Sequence, residues 1–292
     1  MKGIKAKMNI DKLTLCYTAP SEVYEELRNT QFIDYDTFQL VRYDDPDKLF
    51  TDSFIIKTKD IDEANSGLKW IVFAYLKFNM KLSDGFDKNY VWIYVNNCTL
   101  YRPLYPDVSI ICELEYMTEL LGLRINNVTA LEIACDSNIN WAKRIKRAIF
   151  DPKLSVMLNG ILRRERKKVL DEILYITKGN QERMTELSIY VKQKKKNGLE
   201  LCFYNKTKEA IKSNKLYILD WMNTQQNIFR AELRLKNQFL KEYFDKKSDF
   251  DINQILVKLV DKEFLFDMFL YFSDRLLRFR DKRGEIYSVL EV

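Results

Sequence analysis

An α+β fold, two similar sheet-and-helix lobes in one compact body followed by C-terminal helices, is predicted by three features of the chain. Some segments alternate apolar and polar side chains, others repeat apolar residues at helical spacing, and the two kinds follow one another twice along the sequence. With 292 residues, 47% of them hydrophobic and 13% aromatic, the chain can bury a sizeable core. The expected divisions are a sheet-rich lobe over residues 1–137, a second lobe over 138–245 and a helical segment over 246–292.

Residues 8–17 alternate and form a strand ended by Pro20, with a short helix from Ser21 to Thr30 behind it. Strands follow at Phe38 to Arg42, Ser53 to Thr58, Trp70 to Met80 and Tyr90 to Leu100, the last two separated by Ser83-Asp84-Gly85. From Pro106 the period becomes helical through Ile111, Leu114, Met117 and Leu121, and Gly122 closes the segment. A strand at Val128 to Cys135 leads to a helix opening at Asn138 or Asn140. Its Trp141, Ile145, Ala148 and Ile149 face inward, while Lys143, Arg144, Lys146 and Arg147 face outward. Strands are expected at Glu172 to Thr177, Thr185 to Lys192, Gly198 to Tyr204 and Ile228 to Lys236, with helices near Leu216 to Met222 and Gln238 to Phe244. Asn197-Gly198 is the strongest hairpin cue, and Ile252 to Arg283 reads mostly as amphipathic helix.

Several classes are argued against. The apolar run Trp70 to Leu76 is too short to span a membrane, and Met1 to Lys5 leads into a strand rather than a signal core, so a cytoplasmic protein is expected. Five cysteines, none at CxxC spacing, and no histidine argue against zinc; the thiols are expected reduced and mostly buried. The net charge of +6 is concentrated in three runs: Arg163, Arg164, Arg166, Lys167 and Lys168; Lys192, Lys194, Lys195 and Lys196; and Arg275, Arg278, Arg280, Lys282 and Arg283. One such run is usually a solvated face, but three together favour a nucleic-acid partner.

The chemistry-bearing residues lie on three strands. Tyr204 and Lys206 are expected on one face of the first, and Arg230, Glu232, Arg234 and Lys236 on one face of the second, with Ala231, Leu233 and Leu235 turned to the core. On the third, Glu132 and Asp136 share a face. Two acids at a strand end are by themselves more often solvent-facing. With Glu232 added, three carboxylates can supply the oxygen ligands that Mg²⁺ or Mn²⁺ prefers. A tyrosine beside cations and such an ion is equipped to attack a phosphodiester.

In order and local pattern these segments resemble the rolling-circle replication initiators of small plasmids, the transposition-type Rep group, and related initiation factors of phages and conjugative elements. The matching stretches are Leu131 to Asp136, Tyr175-Ile176-Thr177-Lys178-Gly179, Phe203-Tyr204-Asn205-Lys206 with Glu209, and Arg230 to Lys236. Ile10 to Thr14 looks like the family's first strand. Residues 125–245 carry the likeness, and the first 120 carry it faintly.

The resemblance implies a metal-dependent, strand-specific DNA-nicking replication initiator. Tyr204 would be the nucleophile left joined to the 5′ phosphate, Lys206 and Arg230 would stabilise phosphate charge, and Glu132, Asp136 and Glu232 would hold the metal. It implies origin DNA, duplex and single-stranded, as partner, together with a host helicase and a second copy of the chain. DNA contacts are expected from Arg163, Arg164, Lys167 and Lys168 and from Lys194, Lys195 and Lys196. The chain departs from the pattern at Glu132, where the family has Asp, and at Asn180-Gln181-Glu182, where an arginine is expected unless Arg183 supplies it. Extra residues before Tyr204 keep Tyr190 and Tyr175 as alternative nucleophiles. The alternative function is an origin-binding or regulatory DNA-binding protein on the same fold that does not cut.

Overall fold

The computed structural model describes residues 6–44, 49–62, 67–80, 89–101, 110–178, 186–193, 198–224, 226–246 and 251–292. The alternating opening segment forms β1 (Lys7–Thr18), and after Pro20 comes α1 (Ser21–Asn29). Strands β2 (Phe32–Asp34), β3 (Phe38–Arg42), β4 (Phe50–Asp62), β5 (Gly67–Met80) and β6 (Tyr90–Val95) pair antiparallel in succession. A helix, α2 (Asn97–Tyr101), begins where the sequence pattern carries the strand on to Leu100. The helical period after Pro106 becomes α3 (Ile110–Leu120), ended by Gly122 at φ 62°, a left-handed position that costs glycine little.

The acidic strand is β7 (Arg124–Ser137), followed by α4 (Trp141–Phe150), whose N-cap is Asn140, its side chain accepting from the Lys143 N–H. Then come β8 (Leu154–Leu158), β9 (Ile161–Arg163), α5 (Arg166–Glu172), β10 (Leu174–Lys178), β11 (Glu186–Lys192) and β12 (Leu199–Asn205). The chain continues through α6 (Lys206–Lys212), α7 (Tyr217–Met222), β13 (Phe229–Lys236) and α8 (Asn237–Asp245), and ends with α9 (Ile255–Val260), α10 (Lys262–Leu276), β14 (Leu277–Asp281) and β15 (Ile286–Tyr287). No helix among the described residues is long and apolar enough to cross a membrane.

Two local expectations change, and one hairpin is new. The helix expected through Arg283 stops at Leu276, because Leu277, Phe279 and their neighbours alternate buried and accessible positions and pair with β8. The β8–β9 hairpin turns on Asn159-Gly160, at φ 52° and 76°, the primed-turn pair that suits a two-residue hairpin. Lys206 is the first residue of α6 rather than part of the strand, with Asn205 as N-cap accepting from the Lys208 N–H at 3.0 Å. At the other expected hairpin Asn197 lies outside the described residues, while Gly198 has φ 116°.

The chain forms two compact units that interleave along the sequence. The first comprises Met1–Asp11, Glu132–Phe239 and Asp261–Val292, and the second Lys12–Leu131 and Leu240–Val260. In the second unit, Phe38, Leu40, Phe54, Ile56, Phe73 and Phe78 are fully buried from the strands, and α3 packs on α9. In the first unit the strand order is β10-β11-β12-β13-β7-β1, with β1 contributing its residues up to Asp11. Helices α4 and α10 both pack on β12 and β13, over Leu201, Phe203, Ala231 and Leu233. A separate small sheet has the order β15-β14-β8-β9.

Candidate active site

All three chemistry-bearing strands place their key residues in the first unit, and so does Asp11. On β13 the apolar residues Ala231 and Leu233 are wholly buried on one side, and Arg230 and Glu232 are buried on the other. Register sets Tyr204 opposite Arg230 and Cys202 opposite Glu232 across β12–β13, so these four residues share a sheet face.

Arg230 is at the centre. Its guanidinium is fully buried and donates from Nε and Nη2 to the two oxygens of Asp136, at 2.7 and 2.6 Å. Nη1 donates to Asp11 Oδ1 at 2.5 Å and lies 3.4 Å from Glu232 Oε2. A planar fork with N–H donors on several sides is the group that can serve three carboxylates at once.

Glu232 accepts from both sides. The Tyr204 hydroxyl donates to Oε2 at 2.6 Å, and Arg234 Nε donates to Oε1 at 2.6 Å. Burial, then the Glu232 charge, raise the Tyr204 pKa well above 10, and the positive charge of Arg230 offsets them only in part. The Tyr204 proton is therefore held firmly, in a hydrogen bond to Glu232.

Lys206 is buried despite its charge, with Nζ 2.6 Å from Glu209 Oε2, 3.9 Å from Asp11 Oδ1 and 5.8 Å from the Tyr204 ring centre. A buried ammonium needs such partners. Cys202 and Cys135 beside the site are buried thiols whose pKa values are raised by burial, to about 12 for Cys135, so neither is a poised nucleophile. All five cysteines are free; Cys16, Cys135 and Cys202 are buried, Cys98 and Cys112 exposed.

The carboxylates that meet are Asp11, Glu132 and Glu232, with one oxygen from each within 4.8 Å of the others. Asp136, expected as a ligand from its place on the acidic strand, is outside this group, since both its oxygens face Arg230. Asp11 takes the third place. No spacing in the chain marks it, because its link to Arg230 spans 219 positions; its only trace is membership of the opening strand. Five acids, Asp11, Glu132, Asp136, Glu209 and Glu232, face three cations, Lys206, Arg230 and Arg234, a formal excess of two negative charges. Hard oxygen donors with that excess fit a divalent cation such as Mg²⁺ or Mn²⁺.

Among the other candidates, Tyr190 shares the sheet face one strand further out, opposite Cys202, and its pKa is raised, chiefly by burial. Tyr175 pairs with Ile189 in β10–β11, and its side chain is outside the described set. Arg163 ends β9 and pairs with Glu172 at 2.8 Å. Arg164 is exposed in the following loop; Lys167 and Lys168 are exposed on α5, with Lys168 2.8 Å from Glu165. Lys194, Lys195 and Lys196 lie outside the described residues.

No family model and no curated protein matches the chain. Among solved structures, a rolling circle replication initiator protein from Geobacillus stearothermophilus is similar at 11% identity and a TM-score of 0.48, covering 95% of this chain and 88% of that one.

Proposed function

We propose that this protein initiates DNA replication of a plasmid, phage or mobile element by nicking one DNA strand through Tyr204. The observation that carries the reading is the 2.6 Å hydrogen bond from the Tyr204 hydroxyl to Glu232, a member of the only three-carboxylate cluster found among the described residues. A tyrosine held against its own proton acceptor, next to buried cations, is suited to phosphodiester attack.

In this mechanism Tyr204 passes its proton to Glu232 as its oxygen bonds to phosphorus. The bond from phosphorus to the 3′ oxygen breaks and that oxygen takes a proton from water, leaving a 3′ hydroxyl on one side and a phosphotyrosine joined to the 5′ end on the other. Lys206 stands beside the Tyr204 ring and favours the phenolate as it forms. Arg230 positions Asp11 and Glu232 rather than touching the phosphate, since its N–H groups are already directed at three carboxylates. Asp11, Glu132 and Glu232 would hold Mg²⁺ or Mn²⁺, which supplies charge neutralisation at the attacked phosphate. The covalent link conserves the phosphodiester energy, so a 3′ hydroxyl can later rejoin the strand without ATP. Arg164, Lys167 and Lys168 contribute phosphate contacts to the DNA, with Arg163, held by Glu172, shaping the surface beside them.

One observation favours the reading without cleavage: Arg230 already stands among the acids and neutralises part of their charge. The experiment that decides uses labelled single strands drawn from the DNA surrounding the gene, incubated with protein and Mn²⁺ or Mg²⁺. Expected are a shorter labelled strand and a protein-DNA adduct that survives denaturing electrophoresis, both absent with chelator and both absent in Tyr204→Phe. Binding with no adduct under any metal condition would establish the non-cutting reading; an adduct that persists in Tyr204→Phe would move the nucleophile to Tyr190 or Tyr175.

A further inference from the structure

Two of the basic runs in the sequence, far apart in the chain, face each other across one cleft in the first unit. It has a volume of about 460 Å³ and opens between the β8–β9 hairpin and the β14–β15 turn. Six cations line it: Arg163, Arg164 and Arg166 on one side, Arg280, Lys282 and Arg283 on the other; the sole acid in the lining is Asp281.

The six divide by what they do. Arg166 donates to the Ile149 and Asp151 carbonyls at 2.9 and 2.6 Å, Arg163 pairs with Glu172, and Arg283 pairs with Asp281 and Glu285. These three build the walls. The side chains of Arg164, Arg280 and Lys282 are exposed and make no hydrogen bond or ion pair among the described residues. The turn that carries two of them is fixed beforehand, for Asp281 Oδ1 accepts from the Arg283 and Glu285 N–H groups at 2.8 and 2.9 Å. Gly284, at φ 95°, lets the Arg280 guanidinium lie against the turn; a Cβ there would sit 3.3 Å from Nη2.

Like charges held facing one another in a concave, preformed wall repel unless an anion lies between them. Next to them is Leu162, 39% exposed and in the cleft lining. An electropositive groove of this kind tracks the backbone of one strand, and Leu162 offers apolar surface beside it. We propose that this cleft holds the phosphodiester backbone of a single nucleic-acid strand, with Arg164, Arg280 and Lys282 contacting successive phosphates. The identity of the strand as DNA rests on the function proposed above. The convergence of charge does not, and it stands whether or not Tyr204 cuts.

The test compares Tyr204→Phe protein with the same protein carrying Arg164→Ser, Arg280→Ser and Lys282→Ser, using a labelled thirty-nucleotide strand, its duplex, and pyrophosphate. Neither protein can form an adduct at Tyr204, so the outcome is independent of cleavage. The magnitude of the slope of log K against log salt for the single strand should fall by about 2, at about 0.7 for each phosphate no longer neutralised. Lys282→Glu alone should lower it in the same direction. An unchanged slope overturns the proposal. So does an equal loss on duplex, or a loss of pyrophosphate binding with the strand unaffected, which would mark a small-anion site.

Discussion

Arg230 and Asp136 form a two-point ion pair, Nε to Oδ1 at 2.7 Å and Nη2 to Oδ2 at 2.6 Å, with both side chains fully shielded from solvent. Taking both charges out of water costs several kcal/mol, and the arrangement holds because the guanidinium finds acceptors on Asp11 and Glu232 as well. The consequence is architectural. One side chain from β13 fixes carboxylates that come from β1, β7 and β13 itself.

Asp136→Asn is therefore expected to act on stability before chemistry. It leaves the buried guanidinium short of a charge partner, which costs roughly 3–5 kcal/mol and should appear as a lowered midpoint in urea unfolding. A fold left within about 0.5 kcal/mol of the original, combined with lost metal binding, would instead return Asp136 to the ligand set.

Metal binding should be visible without DNA. If Asp11, Glu132 and Glu232 hold the ion, Mn²⁺ at a hundred times its Kd raises stability by about 2.7 kcal/mol, read as a higher Tm. Glu132→Gln should erase that increment at a smaller cost to the metal-free Tm than Asp136→Asn, because Glu132 is half-buried whereas Asp136 is wholly shielded from solvent. A persistent increment in the variant would place the ion elsewhere.

The Lys206 and Glu209 pair makes a pH prediction. Burial pushes the Glu209 carboxyl up, but the hydrogen bond and charge of Lys206, with Ser213, outweigh it, so its pKa falls below the ordinary 4.5. A folded value below the unfolded one stabilises the protein above pH 4.5, and that contribution is lost as pH drops through the folded value. Because Glu209 is 37% exposed, solvent screening keeps the effect modest. Glu209→Gln should flatten the acid limb of the stability profile; an identical acid limb would show that the pair does not discriminate between folded and unfolded states.

Much of this site is legible in the sequence because strand alternation is a strong local signal. Glu132, Tyr204, Arg230 and Glu232 meet on the strands where their periodicity puts them. Asp11 is not legible as a site residue, since its role depends on a contact between chain segments that no local period encodes. The departure at Leu277 has another cause: Leu276, Leu277 and Phe279 satisfy a helical period almost as well as an alternating one, and pairing with β8 decides the matter. Lys206 falls one step beyond its expected strand, because Asn205 ends that strand by capping a helix.

The unanticipated hairpin yields the last prediction. Asn159 and Gly160 both adopt positive φ, 52° and 76°, and no atom lies within 4 Å of where a Gly160 Cβ would be. A substitution at Gly160 is thus opposed by backbone conformation alone, and left-handed geometry costs an L residue roughly 1–2 kcal/mol. The expected order of destabilisation is Gly160→Asn least, Gly160→Ala intermediate and Gly160→Val most, because Asn tolerates this region and a β-branched side chain resists it. Chemical unfolding of the three variants measures the order directly. Equal, near-zero costs would mean that the turn relaxes to another form, and β9 would then be free to shift its register against β8.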